Sequence, residues 1–133
     1  MISLKEGIKF HGHLGPYLVL GILAGEFALK KLAAKKYFGL AVKVWGATEK
    51  PKSCLIDGLQ LATGATYGKG NIKRIKAKKI KILFLNLKNN KKLAVSLKAD
   101  LIKRLCSLKG HRDSQVFARV LYKTHPLKLF NLT

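Results

Sequence analysis

Gly15-Pro16-Tyr17-Leu18-Val19-Leu20-Gly21-Ile22-Leu23-Ala24-Gly25-Glu26-Phe27-Ala28 is the stretch on which the fold turns. Pro16 suits the first position of a helix, where its missing N–H costs nothing. Leu18, Ile22, Leu29 and Leu32 keep helical spacing. Lys30, Lys31, Lys35 and Lys36 gather where the helix dipole favours cations. The spacing predicts a helix from Tyr17 to about Lys36, stopped by Gly39. Gly21, Gly25 and Ala28 lie along one side, a narrow stripe that lets another backbone approach closely. A leader or membrane segment is the competing reading. Two His and a Pro interrupt the approach to the apolar run, and the uncharged stretch from Leu14 to Gly25 is too short to span a bilayer. No membrane association is expected.

Downstream, Leu40 to Trp45 alternates and is rich in strand formers. Gly46 to Lys52 reads as a loop around Pro51. Ser53 is placed to cap a second helix from about Cys54 to Thr63, ended by Gly64. Gly58, Ala62 and Ala65 repeat the small-residue theme, so the two helices are expected to pack together or to meet a second subunit. Gly68-Lys69-Gly70-Asn71 is a turn. Strands follow at Ile72 to Ile75, Lys79 to Leu87 and Leu93 to Leu97, the last two a hairpin around Lys88-Asn89-Asn90-Lys91. Asp100 is placed to cap a short helix reaching Ser107. Asp113 or Ser114 is placed to cap a final helix reaching Tyr122, and a tail follows His125-Pro126. This order predicts a single α+β domain over residues 1–133, an antiparallel sheet packed against helices. Its core covers about 8–98, with a helical extension over about 99–133.

The composition narrows the partners. Lys and Arg number 27 against 6 Asp and Glu, a formal net charge of +21. Such a field attracts phosphates and acidic surfaces. The lysines are scattered from Lys5 to Lys128 rather than blocked, which favours a solvated surface over a dedicated nucleic-acid interface. Any nucleic-acid binding is expected to be weak, sequence-blind and salt-sensitive. Two Cys, at 54 and 106, form no disulfide framework and no C-x-x-C pair, so a reducing, cytoplasmic setting is expected.

The residues that carry chemistry begin just before the first helix. In an extended segment residues two apart point the same way, so His11 and His13 can present two imidazoles to one point. Cys54, at the first turn of the second helix, is the natural third donor, and a helix N-terminus is expected to lower its thiol pKa. Asp57 lies on the same helical face, placed to orient a His or to act as a general base. Two His and one Cys leave a tetrahedral zinc-type metal one open position, and affinity should fall as pH drops below about 6, near the reference imidazole pKa. Each residue alone has a plainer reading: loop histidines bonded to backbone, a buried thiol, a helix-start charge. Cys106 reads as core, and His111 and His125 as loop residues. Lys69 and Gly70, in a Gly-rich loop without P-loop spacing, could offer N–H groups and a cation to an anionic cofactor.

Phe10-His11-Gly12-His13-Leu14 with Gly15-Pro16 and Leu20-Gly21 resembles the first motif of the FmdE family, a family associated with formylmethanofuran dehydrogenase. Ser53-Cys54 with Asp57, Gln60 and Thr63-Gly64, and then Tyr67-Gly68-Lys69-Gly70-Asn71, resemble its later motifs in the same order, over about residues 8 to 98. The resemblance implies an α+β domain, commonly a homodimer, with a metal or reactive site built from the His-Gly-His segment and the helix-borne Cys. The family is named for a subunit associated with a tungsten or molybdenum enzyme of methanogenesis, which points to an enzyme or a subunit of one, with Cys54 and Asp57 the candidate catalytic residues. Many similar proteins stand alone, so the name does not settle the activity. A member that has lost its metal and serves as a basic binding module for nucleic acid or an acidic protein is the alternative. Gly15 and Ala65 stand where the family motifs carry Cys. No Cys pair follows Leu97, so the separate zinc module of some relatives is not expected.

Overall fold

The computed structural model describes residues 1–133. Five helices, α1 (Leu4–His11), α2 (Pro16–Lys31), α3 (Cys54–Thr63), α4 (Ala99–Cys106) and α5 (Gly110–Tyr122), accompany five strands, β1 (Leu40–Trp45), β2 (Ile72–Ile75), β3 (Lys81–Asn86), β4 (Lys92–Leu97) and β5 (Phe130–Leu132). The strands form one sheet in the order β2-β1-β3-β4-β5. Only the β1–β2 pair is parallel; the other three pairs are antiparallel. This is the α+β domain the sequence predicts.

Strand alternation sets the layers. Val42, Val44, Ile82, Phe84, Leu93 and Val95 are buried and join α2 and α5 in one core. The intervening Lys43, Lys81 and Lys92 are exposed, as a period of two demands. α2 is buried along most of its length, because it packs against α3 and α5 while its apolar side chains share one core with those of the sheet. The two small-residue stripes explain the contact with α3. A Cβ on Gly58 would strike the Leu18 carbonyl oxygen and lie 2.8 Å from the Ile22 nitrogen, while one on Gly25 would lie 2.8 Å from the Ala62 Cβ. The stripes are therefore consumed inside one subunit.

Gly58→Ala is a direct check on this packing. In a free helix the change would help by up to ~1 kcal/mol. Here the new methyl meets backbone rather than a flexible side chain, so a net loss of about 3 kcal/mol is expected, the upper range for overpacking. Urea unfolding should show the midpoint falling.

Four expectations are corrected. The segment holding His11 is not extended, because it closes a helix, α1, that apolar spacing alone does not mark. Its start carries a full capping box, with the Ser3 hydroxyl accepting from the Glu6 N–H and the Glu6 carboxylate accepting from the Ser3 N–H. Ser-x-x-Glu is the sequence signal for that start. Next, α2 ends at Lys31 rather than Lys36, because Ala33 and Tyr37 take positive φ, 48° and 74°, and turn the chain toward β1. Ser53, Asp100 and Asp113 do not cap helices. Ser53 is itself helical in φ and ψ with no side-chain cap bond, and Lys98 and Lys109 stand at the other two N-cap positions. Asp113 instead accepts from the Lys109 N–H at 3.1 Å. Finally, the expected tail supplies β5, which pairs with β4 through Val95–Leu132 and Leu97–Phe130; buried Phe130 anchors it in the core.

No single helix is long and apolar enough to cross a membrane.

Candidate metal centre

The centre forms where the C-terminus of α1, the N-terminus of α2 and the N-terminus of α3 meet. α1 closes on Gly12, whose φ of 102° lets the chain reverse after His11. That reversal, not an extended strand, brings His13 back beside His11. Their ring centroids are 4.5 Å apart, with planes tilted by 49°. Cys54 approaches from α3, and one donor atom from each of His11, His13 and Cys54 lies within 4.8 Å of the others.

Asp57 fixes His11. Its Oδ2 lies 2.6 Å from His11 Nδ1. A carboxylate accepts, so Nδ1 is the donor, and in the neutral ring that tautomer leaves Nε2 with its lone pair. His11 Nε2 is buried and has no hydrogen-bond partner. A buried polar atom without a partner is costly, and a metal ion is the ligand that suits a lone pair so aimed. Carboxylate to imidazole to metal is the usual arrangement for orienting a ligating His. The residues therefore fit a metal of zinc type. Zinc bond lengths place donors about 3.3–3.8 Å apart, so the group must tighten somewhat. Exposed His13 has the freedom to do this.

The Cys54 thiol overturns one expectation. Burial pushes its pKa above the ordinary 9.0, and the Asp57 carboxylate adds to the rise, against a smaller lowering by Lys50 and a backbone N–H. The helix end is less electropositive than the sequence suggests, because a preceding turn uses its donors. The N–H groups of Cys54, Leu55 and Ile56 reach the carbonyls of Pro51, Lys52 and Ser53. Without a metal Cys54 is thus a protonated thiol. Cys106 reverses the other way. It is exposed rather than core, since α4 turns Leu101 and Leu105 inward and places position 106 on the adjoining face. Iodoacetamide at neutral pH should therefore modify Cys106 well before Cys54, as intact mass and peptide mapping would show.

Other residues that the sequence offers for a site lie elsewhere. Lys69 and Gly70 follow the C-terminal end of α3, about 15 Å from its start by helical rise. The Lys69 ammonium donates to the Thr66 hydroxyl at 3.1 Å, and the N–H groups of Lys69 and Gly70 turn onto the Thr66 carbonyl. Gln60 accepts from the Tyr67 N–H. The structure does not bring these residues to the His/Cys group.

The fold also adds a neighbour. A cleft of about 300 Å³ opens beside the donors, lined by His13, Tyr17, Pro51 and Cys54 together with Leu105, Leu108, His111 and Ser114. His111, expected as a loop residue, is in the first turn of α5 and borders this cleft. Nothing in the sequence spacing marks it, because it lies far along the chain from the motifs. Gly15 also borders the cleft, and a Cβ there would sit 3.5 Å from the His13 ring.

Residues 10–126 match the family described as FmdE, molybdenum formylmethanofuran dehydrogenase operon. The chain belongs to this family, and the match continues past Leu97 through α4 and α5. A probable S-adenosyl-L-methionine-binding protein of Archaeoglobus fulgidus is 28% identical over 105 residues. The aligned region covers 78% of this chain and 29% of that protein, so the chain spans less than a third of its relative's length.

Proposed function

We propose that this member of the FmdE family is a metal-binding domain whose His11, His13 and Cys54 hold one zinc-type divalent ion at the edge of a small-molecule cleft. The observation that carries the reading is the buried, unpartnered Nε2 of His11, held in place by Asp57 through Nδ1. Mixed nitrogen and sulfur donors favour zinc among the common divalent metals. Three protein donors beside an open cleft match the pattern of catalytic rather than closed structural sites. When bound, such an ion supplies Lewis-acid chemistry toward an oxygen of a small molecule.

The chain's own residues would do the rest. Asp57 holds the His11 tautomer and is a positioning residue. His111, which borders the same cleft as His13 and Cys54, would be the imidazole free to hold or pass a proton there. Leu105, Leu108 and Tyr17 add apolar surface to the cleft lining. The substrate is a small molecule, and S-adenosyl-L-methionine is a sensible first probe given the relative's description. The unpaired thiols suit a reducing, cytoplasmic setting. A homodimer is part of this proposal, although the small-residue stripes are already used within one subunit and a second copy needs another surface. Light scattering giving a mass of 14.7 kDa at all concentrations would remove it.

The test is metal analysis of purified protein, followed by titration of stripped protein against a chromophoric zinc chelator. One equivalent per chain is expected. Absence of any retained or titratable metal would reject the reading. Asp57→Ala should weaken binding by roughly 10- to 100-fold, the usual loss when the partner of a ligating His is removed, while Asp57→Asn, which keeps an acceptor, should lose less.

A further inference from the structure

On the opposite end of α3 from the metal centre, three aromatic rings stand in solvent. Phe38 is 75% exposed, Tyr37 56% and Tyr67 48%. Exposed rings of this size normally find cover. Here each has a cation beside it instead. Lys36 and Lys69 lie 5.4 and 6.0 Å from the Tyr37 ring, Lys69 lies 5.6 Å from Phe38, and Arg74 lies 5.6 Å from Tyr67.

The platform is built, not loose. Tyr37 is held at φ 74°, a conformation rare for a bulky residue. Its N–H donates to the Thr63 carbonyl at 2.8 Å. Its carbonyl accepts from the Asn71 amide at 2.8 Å, and the Asn71 side-chain oxygen accepts from the Thr66 N–H at 2.9 Å. Asn71 thereby clamps the loop bearing Tyr67 and Lys69 to the loop bearing Tyr37 and Phe38. Gly64 makes the join possible, since a Cβ there would lie 2.5 Å from the Tyr37 ring.

The surrounding charge is mostly positive, with Asp57 the acidic group that acts on Tyr67. No Asp or Glu occurs between Asp57 and Asp100, and none between Glu26 and Glu49, while lysines and arginines are frequent in both stretches. β2 is an edge strand carrying exposed Lys73 and Arg74, and exposed Lys76, Lys78 and Lys79 follow it.

We propose that Tyr37, Phe38 and Tyr67, with Lys36, Lys69 and Arg74, form a binding platform for single-stranded nucleic acid. The rings stack unpaired bases, and the cations and the basic β2 edge track the phosphates. A duplex hides its base faces and offers the rings nothing. A second copy of this chain would bring like charge against like. This surface shares no donor with the metal centre, although Asp57 lies near enough to act on Tyr67, and it gives the Gly68-Lys69-Gly70 loop a role that the His/Cys site does not.

Fluorescence anisotropy with a labelled oligouridylate of about 12 nucleotides, compared with a duplex of equal length, tests it. Wild type should prefer the single strand. Phe38→Ala and Tyr67→Ala should each weaken single-strand binding roughly tenfold without changing its salt dependence. Lys69→Ala and Arg74→Ala should each lower the salt slope by about 0.7. Thermal unfolding of every variant confirms that it is folded, and Lys123→Ala, away from the platform, should leave the slope reduced no more than any remote charge. Equal affinity for duplex and single strand, or unchanged binding by the Phe38→Ala/Tyr67→Ala double variant, would overturn the proposal. So would binding only to phosphatidylserine vesicles with none to the oligonucleotide.

Discussion

Replacing Cys54 with Ala should lower zinc affinity by more than about a hundredfold, since even losing the partner of a ligating His costs about 10- to 100-fold. Cys106→Ala should leave it unchanged, because the exposed Cys106 is not among the clustered donors. His11→Ala and His13→Ala should act like Cys54→Ala, as three donors leave none to spare. The pH profile sharpens the test. Burial and Asp57 raise the Cys54 pKa above 9.0, so below that value metal must displace a thiol proton. Affinity should then fall about tenfold per pH unit throughout the neutral range, rather than only below about 6. Imidazole donors in general add proton competition only below about pH 6.5, steepening the fall there. Cys54→Ala should lose the neutral-range slope and keep the acid one. A wild-type profile flat between about pH 7 and 8.5 would show that the thiolate is not a ligand.

The parts of this architecture that are legible in the sequence are those where one local rule dominates. Pro16 and the apolar spacing after it mark α2, and Gly64 marks the end of α3, where its φ of 74° confirms the αL stop. Sequence and structure part where local chemistry has two outlets. Asp113 looks like a cap, yet its carboxylate is satisfied by the Lys109 N–H one turn earlier. Lys35 and Lys36 look like a continued helix, yet Tyr37 is held out of it by the Thr63 carbonyl, a partner invisible at that sequence distance. For the site, the donors are legible and their electrostatics are not. His11 and His13 meet through a helix end and a left-handed glycine, and Cys54 is half-buried beside a carboxylate rather than activated by a bare helix terminus. His111 is illegible altogether, because only the folding of α5 against α2 brings it to the cleft.

Gly15 is where this chain departs most tellingly from the motif it resembles, and restoring a thiol there should raise zinc affinity by about tenfold or more, since closed four-ligand sites are the structural, tightly held class. The backbone already allows it. Gly15 has an extended conformation, φ −147°, which any residue adopts, and a Cβ meets the His13 ring at an ordinary contact distance of 3.5 Å. An added Sγ would lie beside the His13 ring, next to the group formed by His11, His13 and Cys54. It would also take up space in the cleft that Gly15 lines. Gly15→Cys should thus tighten metal binding and, at the same time, weaken any small molecule that enters the cleft to reach the ion. Gly15→Ala separates the two effects: it narrows the cleft without adding a donor, so its zinc affinity should stay at the wild-type value. Chelator competition on the two variants reads the first effect, and displacement of a cleft-bound probe reads the second. If Gly15→Cys binds zinc no better than Gly15→Ala, position 15 does not face the ion and the open side of the site lies elsewhere.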